Sequence, residues 1–140
     1  KNLTTWIQFF RCDLSLPCPE LVRCASTLSM GLQFTDDLTI KALNSSWRAR
    51  NEKTDVLSFP ILGEDIVFLP NQPLEIGDIV VSVTTAEFQA KEQNHSLDRE
   101  LLWLVSHGLM HLLGWEHPNS DRLREMLNYQ EQLLSINGSL

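Results

Sequence analysis

Long apolar runs are missing: no stretch of about 18 apolar residues occurs, so no segment of the sequence can cross a bilayer as a helix. Cysteine is scarce. Cys12, Cys18 and Cys24 are an odd number confined to the first quarter, which excludes a complete disulfide framework, and with no CxxC pair a cysteine metal site is not expected. They read instead as small hydrophobes, buried or partly buried, in a reducing, cytoplasmic compartment. Six Gly and six Pro are too few for a collagen-like or low-complexity chain. Cations are outnumbered, with 11 Lys and Arg against 18 Asp and Glu; the formal charge of −7 argues against a broad basic face that coats nucleic acid. The first ten residues are too polar for a secretory signal, and the absence of an initial Met reads as a processed or trimmed end. The four sequons, at Asn2, Asn44, Asn94 and Asn137, therefore read as chance.

What is present fits one small domain over residues 1–140, since single cores run to roughly 100–200 residues. Leu3 to Phe10, rich in β-branched and aromatic residues, reads as a strand, with a turn at Leu16-Pro17-Cys18-Pro19. A helix is expected from Glu20 to Met30, carrying Leu21, Cys24, Ala25 and Leu28 and stopped by Gly31. Further strands are expected at Leu38 to Leu43, Val56 to Phe59, Ile66 to Leu69 and Ile79 to Val83, the last apolar enough to be covered on both faces. From Thr84 the texture turns helical. Thr84 or Thr85 with Glu87 supplies a start, Asn94 to Ser96 a break, and a second helix begins near Ser96 and stops at Gly114. Its apolar residues lie on more than one side, as in a buried central helix. A last helix over residues 119–134 shows Leu123, Met126, Leu127, Leu133 and Leu134 on one face. The expected fold is α+β: a mixed sheet of four to five strands packed with helices.

The chemistry concentrates in the string from Ser106 to His117. His107 and His111, four apart on a helix, project to one side one turn apart, and Gly114 lets the chain leave the helix so that His117 can swing back. Three neutral imidazoles with a fourth position open make a catalytic zinc site; nickel and copper also favour imidazole. Without a metal, an apolar helix would bury several imidazoles lacking evident partners, which is costly. His95 lies outside the pattern and reads as a surface residue. The spacing HxxxHxxGxxH is also that of the metzincin peptidases, but Gly108 stands where their catalytic Glu belongs. Glu116 could replace that base, or else orient a histidine or face solvent.

The string His107-Gly108-Leu109-Met110-His111-Leu112-Leu113-Gly114-Trp115-Glu116-His117 resembles the signature of the YbeY family, endoribonucleases that mature bacterial ribosomal RNA. Met110 stands where Leu is usual. A second block agrees: Asn44, Trp47 and Arg48 followed by Thr54-Asp55-Val56-Leu57-Ser58-Phe59, with Lys53 in place of the usual Pro. Gly77-Asp78-Ile79 resembles the family's G-D-I strand, and the matches together span residues 43 to 134. The resemblance implies a small mixed sheet with helices, and one zinc ion per chain held by the three histidines. It also implies cleavage of single-stranded RNA in 16S ribosomal RNA 3′-end maturation and ribosome quality control. The implied partners are the 16S 3′ region and the small ribosomal subunit or its associated proteins, with no DNA and no membrane. Arg48, on sequence alone either a surface residue or an anion ligand, falls on the family's essential arginine. Its guanidinium would hold two phosphate oxygens near the metal. Arg50 and Lys53 are candidates to extend that phosphate track, and Asp55 and Ser58 to orient the site from a strand end.

Two other functions fit the same residues: a zinc hydrolase of peptides using Glu116, and a ribosome-docking module whose zinc is structural. The charge distribution favours an enzyme that grips a few phosphates. Residues 41–53 hold Lys41, Arg48, Arg50 and Lys53 against Glu52 alone, a local charge of +3 within a chain of −7.

Overall fold

The computed structural model describes residues 2–13, 16, 18–61 and 72–136. Its order is α1 (Asn2–Cys12), α2 (Glu20–Cys24), β1 (Leu28–Thr35), α3 (Asp37–Arg48), β2 (Val56–Pro60), β3 (Leu74–Ser82), α4 (Val83–Glu92), α5 (Leu97–Leu112) and α6 (Ser120–Ile136). Among the described residues the sheet has three strands rather than four or five, in the order β1-β3-β2, with β1 parallel and β2 antiparallel to β3. The strand expected at Ile66 to Leu69 lies outside the described residues. No helix in the described residues is long and apolar enough to cross a membrane.

The central strand dictates the layering. Opposite the step from Ser29 to Met30, β3 carries one extra residue, Ile76, and this bulge resets the in-out alternation. Leu74 and Ile76 before it, and Ile79 and Val81 after it, all enter the main core with Trp6, Phe10, Leu109, Met110, Met126 and Leu133. Val80 points the other way, into a smaller cluster with Ile40 of α3 and Leu57 of β2. Helices thus cover β3 on both faces, as its apolar run foretells.

Several elements differ from the sequence reading, each for a local or tertiary reason. Residues 3–10 form a helix, not a strand: Trp6 and Phe10, four apart, are fully buried on one face, and Trp6 Nε1 donates to Leu133 O at 2.8 Å. Leu38 to Leu43 is also helical, because Asp36 caps α3 by accepting from Thr39 N at 2.8 Å and Ile40 and Asn44 share its buried face. The expected long helix stops at Cys24. Ala25 is extended, its carbonyl accepting from Arg11 at 2.6 Å, and Leu28 to Met30 and Gly31 enter β1 beside β3. With that helix cut short, Cys24 is exposed, as is Cys12 at the end of α1. Only Cys18 is half-buried, its thiol pushed up by burial. The α4 cap is Ser82, whose Oγ accepts from Thr85 N, so the helix starts a residue or two before the expected Thr. On α6, Met126, Leu133 and Leu134 are buried, but Leu123 stays at the surface.

Candidate metal centre

α5 brings the site to the sheet. It begins at Ser96, whose side chain accepts from Arg99 N, and crosses β2 and β3 at Gly108. A Cβ on Gly108 would lie 2.8 Å from Ile79 Cγ2 and 3.2 Å from Ser58 Oγ, so only glycine permits this approach. Ser58 uses the proximity to donate to Gly108 O at 3.1 Å, tying α5 to β2. The position that carries a catalytic Glu in the peptidase motif therefore presses against the sheet. Just past the end of α5, Gly114 takes φ +96°, a left-handed conformation that suits glycine, and the chain turns back with His117.

His107, His111 and His117 converge, each offering a nitrogen within 4.8 Å of the others. The hydrogen-bond network dictates their tautomers. His111 Nδ1 lies 2.8 Å from Trp115 O, which can only accept, so Nδ1 carries the proton and Nε2 is bare. Gln130, fully buried, donates its amide to Trp103 O at 3.0 Å and Ser106 Oγ at 3.1 Å. Its Oε1 therefore faces His107 Nδ1, 3.0 Å away, which again places the proton on Nδ1 and bares Nε2. The two bare nitrogens stand 3.0 Å apart. Two lone pairs at that distance repel unless a cation lies between them, and the spacing is near that of two ligands on a tetrahedral zinc. Burial, the largest influence on both rings, holds His107 and His111 below the ordinary imidazole range, so both are neutral and competent to ligate. The donor set, its tautomers and its convergence fit a borderline metal such as zinc.

The histidines line a cleft of about 770 Å³ whose other walls include Arg48, Asp55, Ser58, Trp115 and Glu116. Arg48 is the last residue of α3 and is exposed. After it Ala49 adopts a left-handed conformation (φ 57°), and Asn44 holds the turn: its carbonyl accepts from Arg50 N and its Nδ2 donates to Glu52 O at 3.0 Å. Asp55 accepts from Val56 N at 2.7 Å and from Gln89 Nε2 at 3.3 Å. Arg50 and Lys53 are absent from the cleft lining, and Lys53 Nζ is directed to Asp37 Oδ2 at 3.4 Å. Glu116 is exposed at the rim. His95 is half-buried rather than at the surface, with Nε2 2.9 Å from Glu100 Oε1. Sequence reading passed over Gln130; the signal was a polar residue in the Met126–Leu133 apolar stripe of α6. The role of the Trp115 carbonyl is a backbone property that carries no sequence signal.

The family model described as "Endoribonuclease YbeY" matches residues 13–138, well beyond the motif blocks at residues 43–134. The Prochlorococcus marinus (strain MIT 9313) protein named Endoribonuclease YbeY is 59% identical over 140 residues, covering 100% of this chain and 75% of that relative. The Parasynechococcus marenigrum (strain WH8102) protein of the same name is 59% identical over 134 residues, covering 95% of this chain and 72% of its own length. The solution structure of TM1509 from Thermotoga maritima superposes with a TM-score of 0.54 at 25% identity, covering 94% of this chain and 76% of that one. With the histidine string, the Arg48 block and the matched fold in agreement, this chain belongs to the endoribonuclease YbeY family.

Proposed function

We propose that the protein is a metal-dependent endoribonuclease that cuts single-stranded RNA, using one zinc ion held by His107, His111 and His117 and a phosphate grip from Arg48. The observation that carries the reading is the pair of bare, inward-facing imidazole nitrogens in the same cleft as an exposed guanidinium. Two relatives named Endoribonuclease YbeY support RNA as the substrate class. The family resemblance supports action at the 16S 3′ end and in ribosome quality control, in the cytoplasm and with the small subunit as partner.

The division of labour among the residues follows from their contacts. Gln130 Oε1 and Trp115 O keep the Nδ1 protons and so hold the Nε2 atoms toward one point. A zinc ion there supplies Lewis-acid activation of water or of the phosphate oxygen. Arg48 binds two phosphate oxygens through its planar fork and offsets the charge that grows on them in the transition state. Ser58 holds α5 against β2, keeping Arg48's side of the cleft in register with the histidines.

The test is cleavage of single-stranded ribosomal RNA by wild type and Arg48→Ala. A loss of about a hundredfold or more in kcat/KM is expected, with an unchanged melting temperature because Arg48 is exposed. Equal rates would remove Arg48 from the machinery. The cleaved ends identify the nucleophile: 2′,3′-cyclic phosphate means the RNA 2′-hydroxyl, 5′-phosphate means water.

A further inference from the structure

Beside the metal centre lies a second cleft, of about 550 Å³, that the reaction as described does not use. Asp55, Trp103 and Leu104 line both and form the wall between them. One face of α5 runs through the pair, because Glu100, Trp103, His107 and His111 follow each other at spacings of three and four residues. Glu100 sits about 10 Å along the axis from His107, within reach of a base whose own nucleotide has its phosphate at the histidines.

The second cleft is electronegative. Asp55, Glu92, Glu100 and Glu131 face it against one guanidinium, that of Arg99, which already pairs with Glu131 at 3.3 Å. Such a cleft repels phosphate and suits a neutral ligand that presents N–H donors. Glu100 is the sharpest feature: it is only 4% exposed, its Oε1 meets His95 Nε2 at 2.9 Å, and among the described residues nothing donates to Oε2. Among the described residues the one side-chain atom both sealed from solvent and unpaired is Asn44 Oδ1, so Glu100 Oε2 keeps an opening to the cleft, where a ligand N–H can reach it. Trp103, half-buried at the shared wall, is the kind of aromatic side chain on which unstacked RNA bases are received.

Resting on the endoribonuclease reading, we propose that this cleft is a base subsite in which Glu100 selects bases carrying an exocyclic amine (cytosine, adenine or guanine) over uracil at the nucleotide flanking the cut. Cytosine N4 donates to the carboxylate, whereas uracil O4 at the same place meets it with a lone pair. Arg48 holds the backbone at the histidine cleft and Glu100 reads the base in the acidic one.

The test compares binding of short fluorescently labelled oligocytidylate and oligouridylate, whose bases differ only on that edge: an N4 amine beside a bare N3 in cytosine, an O4 carbonyl beside an N3–H in uracil. The wild type is expected to prefer oligocytidylate about tenfold, the scale of one charge-assisted hydrogen bond. Glu100→Gln keeps the shape and a partner for His95, yet its amide can donate or accept, so the preference should collapse to near unity. Arg48→Ala should weaken both oligonucleotides alike and leave the ratio intact. Equal wild-type affinities overturn the proposal whether or not the variant folds, and so does a Glu100→Gln protein that folds and keeps the preference. Cleavage of the same RNAs separates the two readings. A protein that prefers oligocytidylate but cuts nothing contradicts the nuclease and keeps the subsite; one that cuts both RNAs and binds them equally does the reverse.

Discussion

The histidine centre is set by two acceptors, the amide oxygen of Gln130 outside the motif and the backbone carbonyl of Trp115 within it. Replacing Gln130 by Leu removes the acceptor for His107 Nδ1, so the ring can rotate or switch tautomer. Metal affinity should fall about 10- to 100-fold, read by competition with a chelator; unchanged affinity would show that the ring needs no outer partner. Protonation gives a second check. An unfolded imidazole titrates near 6.5, but burial depresses His107 and His111 in the folded protein. Between the folded values and about 6.5 the unfolded chain holds more protons, so stability rises with pH through that window. The metal-free protein should melt at a constant temperature between about pH 7 and 8 and progressively lower as pH drops below about 6.5. A melting temperature that rises on acidification would contradict the burial of neutral rings.

At the scale of elements, α5 matters most, since it carries two of the three converging histidines and, with Trp103 and Leu104, part of the cleft wall. Gly108→Ala places a methyl 2.8 Å from Ile79 Cγ2. Overpacking of this kind costs about 1–3 kcal/mol, and because His107 and His111 ride on the same helix, a lowered melting temperature should come with weakened metal binding; a variant as stable as wild type would mean that the sheet yields. This helix was fully legible in the sequence: Ser96, the apolar run and Gly114 mark its ends, and the HxxxH spacing needs no tertiary information. β2 was legible for the same reason, as a short apolar run between polar breaks and Pro; of β3, expected at Ile79 to Val83, only the part to Ser82 was, since the strand begins five residues earlier at Leu74, its start masked by Glu75, Gly77 and Asp78, and Val83 already opens α4. α1 and α3 were not. Short segments of aromatic and β-branched residues satisfy both helical and strand periods. What decides is the Asp36 cap in one case and, in the other, Trp6 meeting Leu133 O across 127 positions. The bulge at Ile76, which aims β3 into two cores, is likewise visible only in the pairing with β1.

Across the whole molecule, a chain of charge −7 has to bind a polyanion. The basic run at residues 41–53 is less of a track in space than in sequence, because Arg48 lines the cleft while Lys53 turns to Asp37. Few phosphate contacts mean weak salt dependence: the logarithm of the RNA association constant should fall with the logarithm of salt at a slope of about −1 to −2. A slope steeper than about −4 would reveal a longer cationic path. The sequence showed the three histidines and Arg48, but the acceptors that orient the rings and the second, acidic cleft beside the histidines required the fold. All of it depends on the three histidines forming one metal centre that RNA cleavage requires. Elemental analysis of purified wild type and His111→Ala, with cleavage assayed on the same samples, tests this most directly. One metal ion per wild-type chain is expected, with metal and cleavage lost together in the variant; full metal content in His111→Ala, or RNA cleavage by metal-free wild type, would contradict a catalytic three-histidine centre.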